Sequence, residues 1–445
     1  MSRTRLSQEV SCPKEDSLNL SFYSFPRLAH CSAFVAILLL AATSAWGQGK
    51  VLYSFTGGAD GGYPLGGLVR DSSGNLYGVT SGGGDTSPEQ CQPTSGCGVV
   101  FELSPNGSGG WKEAVLHTFT GGTDGLEPLG NLVFDGSGNL YGTTEYGGNG
   151  CEGFYGCGTV YELSPAGGGV WTENIIHTFT SGPDGYAPWA GLVFDNAGNL
   201  YGTTRFGVNS ACNTLGCGAV FELSPSGGGT WSEQFLYVFQ DAADGAEPMA
   251  GVTFDASGNL YGTAGIGGDT TGCNPPYGCG TIYELSPGTG GWTQSVLYTF
   301  DGANGNFPNS GLAIDARGDL YGNMYNYVYR MTPQEGGGFN LTNLHTFNVT
   351  DGDAAEATPL IDGGILYGTV ESGGGDNRDC TAGCGGIYRL KPTGSGVTFS
   401  FLGFGTANKG EAPEGSLISD SAGNLYGTTS RGGADGAGTV FEVTP

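Results

Sequence analysis

The residue four places after the tyrosine of a recurring Gly-Asn-Leu-Tyr-Gly motif changes chemical type from copy to copy. The seven residues at this position are Ser81, Glu145, Arg205, Gly265, Tyr325, Glu371 and Ser430. Scaffold positions recur in a repeat protein, so a position that breaks the pattern is a candidate site. Glu145 and Glu371 could act as the paired carboxylates of a glycosidase if they face each other across a channel. An unconstrained surface position would vary in the same way, and both interpretations remain open.

Asp-Gly pairs form a second candidate set, because each is followed within a few residues by a proline. Their aspartates are Asp60, Asp124, Asp184 and Asp244. A ring of such carboxylates could recognise a sugar, a peptide or Ca²⁺, whereas Asp-Gly also makes tight turns without any ligand. None of these loops has the spaced carboxylates of a calcium-binding hand.

Aromatic residues cluster after the fifth copy of the motif, where the loop is short. Tyr325, Tyr327 and Tyr329 stand at alternate positions there. We expect them to leave an aromatic notch in the rim that could stack on a sugar.

Three histidines, His117, His177 and His345, occupy one repeat position. The same position holds tyrosine in other copies, at Tyr53, Tyr237 and Tyr298. Because tyrosine cannot replace a histidine that acts as a base, this exchange predicts that the side chain packs in the blade or makes a hydrogen bond on its strand. We predict no metal site from these residues.

Ten cysteines fall into five close pairs, and each second member lies in Gly-Cys-Gly. The pairs are Cys91/Cys97, Cys151/Cys157, Cys212/Cys217, Cys273/Cys279 and Cys380/Cys384. In an exported protein this pattern predicts disulfides. The alternative, a metal centre, needs four clustered ligands, and two cysteines per repeat without a nearby histidine do not supply them.

The elements that must position these residues come from the repeat itself. The tyrosines of the seven motifs are Tyr77, Tyr141, Tyr201, Tyr261, Tyr321, Tyr367 and Tyr426, so the steps are 64, 60, 60, 60, 46 and 59 residues. Each repeat reads as four short β-rich runs, the first two joined by an Asp-to-Gly-Asn turn and the fourth led by tryptophan. Four antiparallel strands repeated seven times predict an all-β, seven-bladed β-propeller.

The two ends of the chain support closure of this ring. The last repeat stops at residue 445 without a fourth strand, whereas residues 51–55 match a fourth strand and precede the first hairpin. We therefore predict that the N-terminal strand completes the last blade beside residues 440–443, which removes both free sheet edges.

The units Gly191-Leu192-Val193-Phe194-Asp195, Gly198 to Thr203 and Gly218 to Pro225 resemble those of the bacterial Gloeo/Verruco (GloVer) tandem-repeat proteins. The first hairpin is also similar to the inner hairpin of NHL-type propellers, which implies that it is innermost and the tryptophan-led strand outermost. The resemblance covers nearly the whole chain after the leader. It implies fold and export, and it brings no assigned activity or catalytic residues.

Residues 1–47 read as a signal peptide and leader, and residues 48–445 as a single propeller domain. A short apolar run at 33–42 is followed by small residues suited to a signal peptidase, and it is too short to span a membrane. The formal charge of −27 argues against nucleic-acid binding. We expect a secreted, periplasmic or cell-envelope protein, monomeric, with no membrane span after signal removal.

The strand order places the fourth-to-first and second-to-third loops on one acidic, loop-rich face. Two functions remain open for that face. We favour a non-enzymatic extracytoplasmic binding or structural module that recognises a glycan or a protein. The alternative is a secreted polysaccharide hydrolase or lyase with its site at the mouth of the channel. A cluster of acids and aromatics at the mouth would favour the enzyme.

Overall fold

Seven four-stranded antiparallel sheets make up the computed structural model, which confirms the predicted propeller. It describes residues 47–445 except 93–94, 150, 152–154, 181, 183, 209–214, 241–242, 274–276, 304, 375–379 and 395. The predicted leader up to residue 46 lies outside the described residues. We number the blades 1 to 7 in chain order, and the strands of each blade are called first to fourth from the channel outwards.

Blade 1 contains β2 (Val69–Arg70), β3 (Leu76–Thr80), β4 (Val99–Pro105) and β5 (Trp111–Thr118). Blade 2 contains β6 (Val133–Phe134), β7 (Leu140–Thr144), β8 (Thr159–Gly167) and β9 (Val170–Thr178). Blade 3 contains β10 (Val193–Phe194), β11 (Leu200–Thr204), β12 (Ala219–Gly227) and β13 (Thr230–Val238). Blade 4 contains β14 (Thr253–Phe254), β15 (Leu260–Ala264), β16 (Thr281–Gly288) and β17 (Gly291–Thr299).

Blade 5 contains β18 (Ala313–Ile314), β19 (Leu320–Met324), β20 (Tyr327–Pro333) and β21 (Phe339–Thr346). Blade 6 contains β22 (Leu360–Asp362), β23 (Ile365–Val370), β24 (Gly386–Thr393) and β25 (Gly396–Gly403). Blade 7 contains β26 (Ile418–Ser419), β27 (Leu425–Thr429), β28 (Thr439–Thr444) and the N-terminal β1 (Gln48–Ser54). Short 3₁₀ turns lie at Glu89–Cys91 and Ala407–Lys409. No helix among the described residues has the length and apolar content needed to cross a membrane.

The N-terminal strand closes the ring as predicted. β1 pairs antiparallel with β28, with Val51 opposite Phe441 and Tyr53 opposite Val440. Blade 7 therefore takes strands from both ends of the chain, and β28 is paired on both sides, by β27 and by β1, which a linear array would lack.

The turn between the first and second strands explains the Asp…Gly-Asn-Leu-Tyr pattern. In blade 2 the carboxylate of Asp135 accepts hydrogen bonds from the backbone N–H groups of Ser137 and Asn139 at 2.8 and 2.9 Å, and from the Asn139 side chain at 2.8 Å. Gly138 has a φ of 87°, which few other residues adopt. The aspartate of the motif stabilises its own turn, so the motif recurs because every blade needs this turn and not because it has a function.

The core lies between neighbouring blades. Tyr141 of β7 contacts Phe194 of the next blade with ring centroids 5.1 Å apart and Trp231 at 6.0 Å. The tryptophan that leads a fourth strand thus covers the tyrosine of the preceding blade. Gly202 of β11 lies beneath the buried Phe221 ring. Each blade therefore buries its apolar face only in the presence of its neighbour.

Hydrogen bonds also join successive blades around the channel. The Thr143 hydroxyl donates to the Ala190 carbonyl at 2.9 Å, and Thr203 donates to Ala250 at 3.1 Å. The same contact is made in four further blades by Thr263, Asn323, Thr369 and Thr428. Val79 stands at this position in blade 1. These bonds hold the innermost chain segments in register around the ring.

Candidate functional site

The two loop classes predicted to share a face do so. In blade 2, Leu126 of the loop entering the blade pairs with Tyr146 of the loop between the second and third strands. The Glu145 backbone N–H donates to the Glu127 carbonyl at 3.0 Å. The equivalent N–H makes the same bond in five further blades, so in these six blades main-chain bonds fix the variable position whichever side chain it carries.

The loop that enters each blade carries a left-handed residue at one recurring position. The residues are Tyr63, Glu127, Ala187, Glu247, Phe307, Ala354 and Ala412, with φ between 51° and 59°. Such backbone strain often marks active sites, at a cost of about 1–3 kcal/mol each. Here it occurs in all seven blades, so it belongs to the scaffold.

Two residues further on, each loop reaches a central cavity of about 330 Å³. The side chains at this position form a ring that we call the inner ring: Leu65, Leu129, Trp189, Met249, Asn309, Glu356 and Glu414. Its first four members, from blades 1 to 4, are apolar, and the last three, from blades 5 to 7, are polar or acidic. The mouth of the channel therefore has an apolar arc and an acidic arc facing each other.

The side chain of Arg205 is held in place beside Trp189 of the apolar arc. The Arg205 Nε and Nη2 atoms donate to Glu247 Oε2, each at 3.2 Å. The guanidinium lies 5.5 Å from the centroid of the Trp189 ring and 4.5 Å from that of Phe206, within the range of a cation–π contact. Arg205 is thus held between a carboxylate and two aromatic rings, one of which is Trp189 of the inner ring.

Glu145 lies beneath this arc and is only 4 % exposed. The pKa of Glu145 is raised to about 7, chiefly by burial and also by the charge of Glu127, while Tyr146 and Arg205 oppose the rise. Burial also raises the pKa of Glu127. The Glu145 carboxyl group can hold a proton near neutral pH, but its burial separates it from a ligand in the cavity.

The acidic arc is built from three neighbouring loops. The Ser430 hydroxyl donates to Glu414 Oε1 at 2.6 Å, and Arg431 Nη2 lies 3.2 Å from Glu371 Oε1. Burial and the charge of Glu371 raise the pKa of Glu356, and burial likewise raises the pKa of Glu414. These carboxylates crowd one another, so a ligand that donates hydrogen bonds or carries positive charge would relieve their repulsion.

The family profile of the Gloeobacter/Verrucomicrobia repeat matches residues 89–330 and 151–379. The chain belongs to the Gloeobacter/Verrucomicrobia repeat family. No curated protein matches its sequence.

Solved structures similar to this repeat protein include a streptogramin B lyase, with 15% identity, a TM-score of 0.53, and 90% of this chain and 99% of that chain covered. A catalytically inactive virginiamycin B lyase from Staphylococcus aureus with quinupristin has 13% identity and a TM-score of 0.52, with 90% and 99% covered. A luciferin-regenerating enzyme has 14% identity and a TM-score of 0.41, with 80% and 98% covered. At these identities the likeness concerns the fold alone.

The predicted pair Glu145 and Glu371 lies on two different parts of the repeat protein's mouth. Glu145 has Glu127 and Arg205 as its charged neighbours, whereas Glu371 has Arg431, Glu356 and Glu414. Their action as an acid and base pair remains a prediction.

The aromatic notch predicted after the fifth motif is reduced to one ring. Tyr325 is 53% exposed, but Tyr327 is 6% exposed and Tyr329 is fully buried. The expectation for the last two was wrong, because both lie on β20 and face the junction with blade 4. Tyr325 adjoins the acidic arc, and Asp353 is the main cause of its raised pKa.

The Asp-Gly aspartates close their own loops. Asp124 Oδ2 accepts from the Thr120 N–H at 2.8 Å, Asp184 from Thr180 at 3.0 Å and Asp244 from Gln240 at 3.0 Å. This geometry explains their recurrence by turn formation. They lie at the junctions between blades, beside the histidine or tyrosine of the fourth strand.

Four predicted disulfides are present: Cys91–Cys97, Cys151–Cys157, Cys273–Cys279 and Cys380–Cys384. Cys217 is also disulfide-bonded, but its predicted partner Cys212 lies outside the described residues. The bonds brace the loops between second and third strands, next to the mouth.

The inner ring was missed at the sequence level, although a signal for it was present. Trp189, Glu356 and Glu414 break the repeat pattern as clearly as Glu145 and Arg205 do. Their position in the loop gave no indication that they meet at one cavity, because this depends on ring closure.

Proposed function

We propose that this protein is an extracytoplasmic glycan-binding module whose site is the mouth of the channel. The observation that carries the proposal is the division of the inner ring into an apolar arc that contains Trp189 and an acidic arc that contains Glu356 and Glu414. Binding sites commonly combine an apolar lining with a few polar groups that fix orientation.

A sugar ring matches this arrangement. One face of a pyranose presents C–H groups that pack on an indole ring, and its hydroxyl groups donate hydrogen bonds to carboxylates. Trp189 supplies the flat apolar surface, while Glu414, oriented by Ser430, and Glu356 supply acceptors. The exposed ring of Tyr325 extends the surface beyond the cavity.

The location rests on the cysteines. Four described disulfides fit an extracellular or periplasmic protein, because the cytosol keeps thiols reduced.

A polysaccharide hydrolase or lyase is the second candidate, and it is favoured by the raised pKa values of Glu145 and Glu356. A general acid must touch the bond that it protonates. Glu145 is 4% exposed, which argues for a supporting role beneath the mouth. Trp189 and the glutamates Glu356 and Glu414 also stand on opposite arcs of the mouth rather than in one shared cluster. We therefore place binding first.

Isothermal titration calorimetry with the tightest ligand from a glycan array tests the proposal. We expect Trp189→Ala to weaken binding about 5- to 150-fold, since loss of a buried aromatic contact costs on the order of 1–3 kcal/mol. Glu414→Gln should weaken it less, because an amide still accepts one hydrogen bond. Val170→Ala, at an exposed turn on the opposite face, is the matched control and should bind as the parent does.

A reducing-sugar release assay on the same glycan separates the two candidates. Binding without release supports the binding module, whereas release that depends on Glu145 or Glu356 supports the enzyme. Absence of any glycan ligand, or binding that is unchanged in Trp189→Ala and Glu414→Gln, would overturn the glycan proposal.

A further inference from the structure

Two junctions between blades, at the outer strands and away from the inner ring, each bring together one imidazole and two carboxylates. In each, a histidine of a fourth strand meets the aspartate of the following Asp-Gly loop and a glutamate on the fourth strand of the next blade. The clusters are His117, Asp124 and Glu173 at the junction of blades 1 and 2, and His177, Asp184 and Glu233 at the junction of blades 2 and 3.

The donor atoms converge in both clusters. His117 Nε2 lies 3.7 Å from Asp124 Oδ2 and 3.3 Å from Glu173 Oε1. The corresponding distances for His177 are 3.9 Å to Asp184 and 3.7 Å to Glu233. In each cluster the three donor atoms lie within 4.8 Å of one another.

Four of these donor atoms are buried and make no well-oriented hydrogen bond with any described residue, an observation separate from their clustering. They are His117 Nε2, Glu173 Oε1, His177 Nε2 and Glu233 Oε1. Buried polar atoms are nearly always paired, because an unpaired one costs about 1–3 kcal/mol. Four such atoms facing each other in two equivalent places indicate a partner that is not part of the polypeptide.

The spacing suits a small divalent cation. Bonds of about 2.0–2.2 Å from Zn²⁺ to nitrogen and oxygen, arranged tetrahedrally, separate the ligand atoms by roughly 3.3–3.6 Å. The observed 3.3–3.9 Å needs only small side-chain adjustments. The side chains keep 13–20% exposure, which leaves a path for the ion and for a water ligand.

Three other junctions lack the complete ligand set, and their tyrosine or histidine bonds to the aspartate, although Glu113 Oε1 at the Tyr53 junction is also buried without a partner among the described residues. Tyr53 and Tyr237 replace the histidine and donate to their aspartates at 2.9 and 2.7 Å. His345 bonds to Asp351 at 3.1 Å and stacks on Phe399, which stands where the glutamate would be. Only the junctions with histidine, aspartate and glutamate together leave both the imidazole and the glutamate unpaired among the described residues.

We propose that each of the two clusters binds one divalent transition-metal cation of the Zn²⁺ class, which joins adjacent blades. Ca²⁺ is disfavoured, because it prefers six to eight oxygen ligands and an imidazole nitrogen is a poor one for it. The role is structural, since the ion would link β5 to β9 and β9 to β13 at the outer side of the ring.

The test is calorimetric titration of the untagged full chain, freed of metal by a chelator, with ZnCl₂ and separately with CaCl₂. We expect two equivalents of Zn²⁺ and no saturable Ca²⁺ uptake. His117→Tyr and His177→Tyr should each reduce the Zn²⁺ stoichiometry from two to one, and the double variant should bind none. His345→Tyr is the control and should retain two.

Tyrosine is the replacement of choice, because the chain already uses it at this position in Tyr53 and Tyr237. Glu173→Gln gives a second, independent removal of a ligand and copies Gln294 of blade 4. Zn²⁺ should raise the melting temperature of the parent and leave that of the double variant unchanged. Failure of the parent to bind Zn²⁺, or two equivalents retained in the double variant, would overturn the proposal whatever the glycan experiments show.

Discussion

The interior of the blades and the mouth of the channel use the repeat in opposite ways. In the interior, equivalent positions carry nearly the same residue, as in the glycine beneath an aromatic ring and the threonine that bonds to the next blade. At the mouth, equivalent positions carry leucine, tryptophan, methionine, asparagine or glutamate. Repetition therefore marks what every blade needs to pack, and variation marks where the ring can acquire a ligand.

Gly202→Ala should give the largest loss of stability and tests the interior side of this comparison. A Cβ atom there would lie 2.6 Å from the Phe221 ring and 2.8 Å from Leu192. Overpacking of this kind costs about 1–3 kcal/mol, which thermal unfolding would detect. Gly136→Ala, with no neighbour within 4 Å, is the control and should change stability by less than about 0.5 kcal/mol. Equal effects of the two changes would contradict the packing explanation.

Glu145→Gln tests whether a residue at a variable position belongs to the interior, and it should have the next largest effect at high pH. The folded pKa of about 7 exceeds the ordinary glutamate pKa of 4.5, so the folded state holds a proton that the unfolded state releases. Stability should therefore fall as pH rises from about 5 to 8. The glutamine variant should gain melting temperature relative to the parent over this range.

The difference in melting temperature between Glu145→Gln and the parent near pH 5 serves as the reference, because glutamate and glutamine are both neutral there in the folded state. If the difference in melting temperature between variant and parent stayed constant across this pH range, Glu145 would behave as a solvent-exposed residue and not as part of the interior.

Thr203→Val removes one hydrogen bond between blades and should cost about 1 kcal/mol of unfolding free energy in chemical denaturation. Thr203 is buried and donates to the Ala250 carbonyl at 3.1 Å, which the variant leaves without this donor. Val79 occupies this position in blade 1, so the fold tolerates the change. A variant as stable as the parent would show that these bonds set register without adding stability.

Tyr161→Phe should have the smallest effect, at most a slight stabilisation. The Tyr161 hydroxyl is buried and has no hydrogen-bond partner within the described part of the chain, and phenylalanine occupies this position at Phe101, Phe221 and Phe441. Tyr388→Phe is the matched comparison and should destabilise by about 1 kcal/mol, because Tyr388 donates to Asn323 Oδ1 at 2.7 Å. If both variants lose the same stability, the hydrogen bond is not the cause.

Much of the scaffold follows from local sequence. The Asp-to-Gly-Asn turns, the alternating strands and the period predict four strands in each blade, and the incomplete last repeat predicts the closure by residues 51–55. The four described disulfides join the pairs that spacing predicts. These features are accessible because each depends on residues close in the chain or on the repeat itself.

The sequence by itself determined the ring, its closure and the face on which the loops gather. The tertiary structure alone decided which side chains are accessible and which of them meet. It buried Glu145, Tyr327 and Tyr329, and it divided the inner ring into two arcs. The physical reason is that contacts at the mouth and at the blade junctions join residues about one repeat or more apart. Their geometry depends on how neighbouring blades pack, which no single repeat encodes.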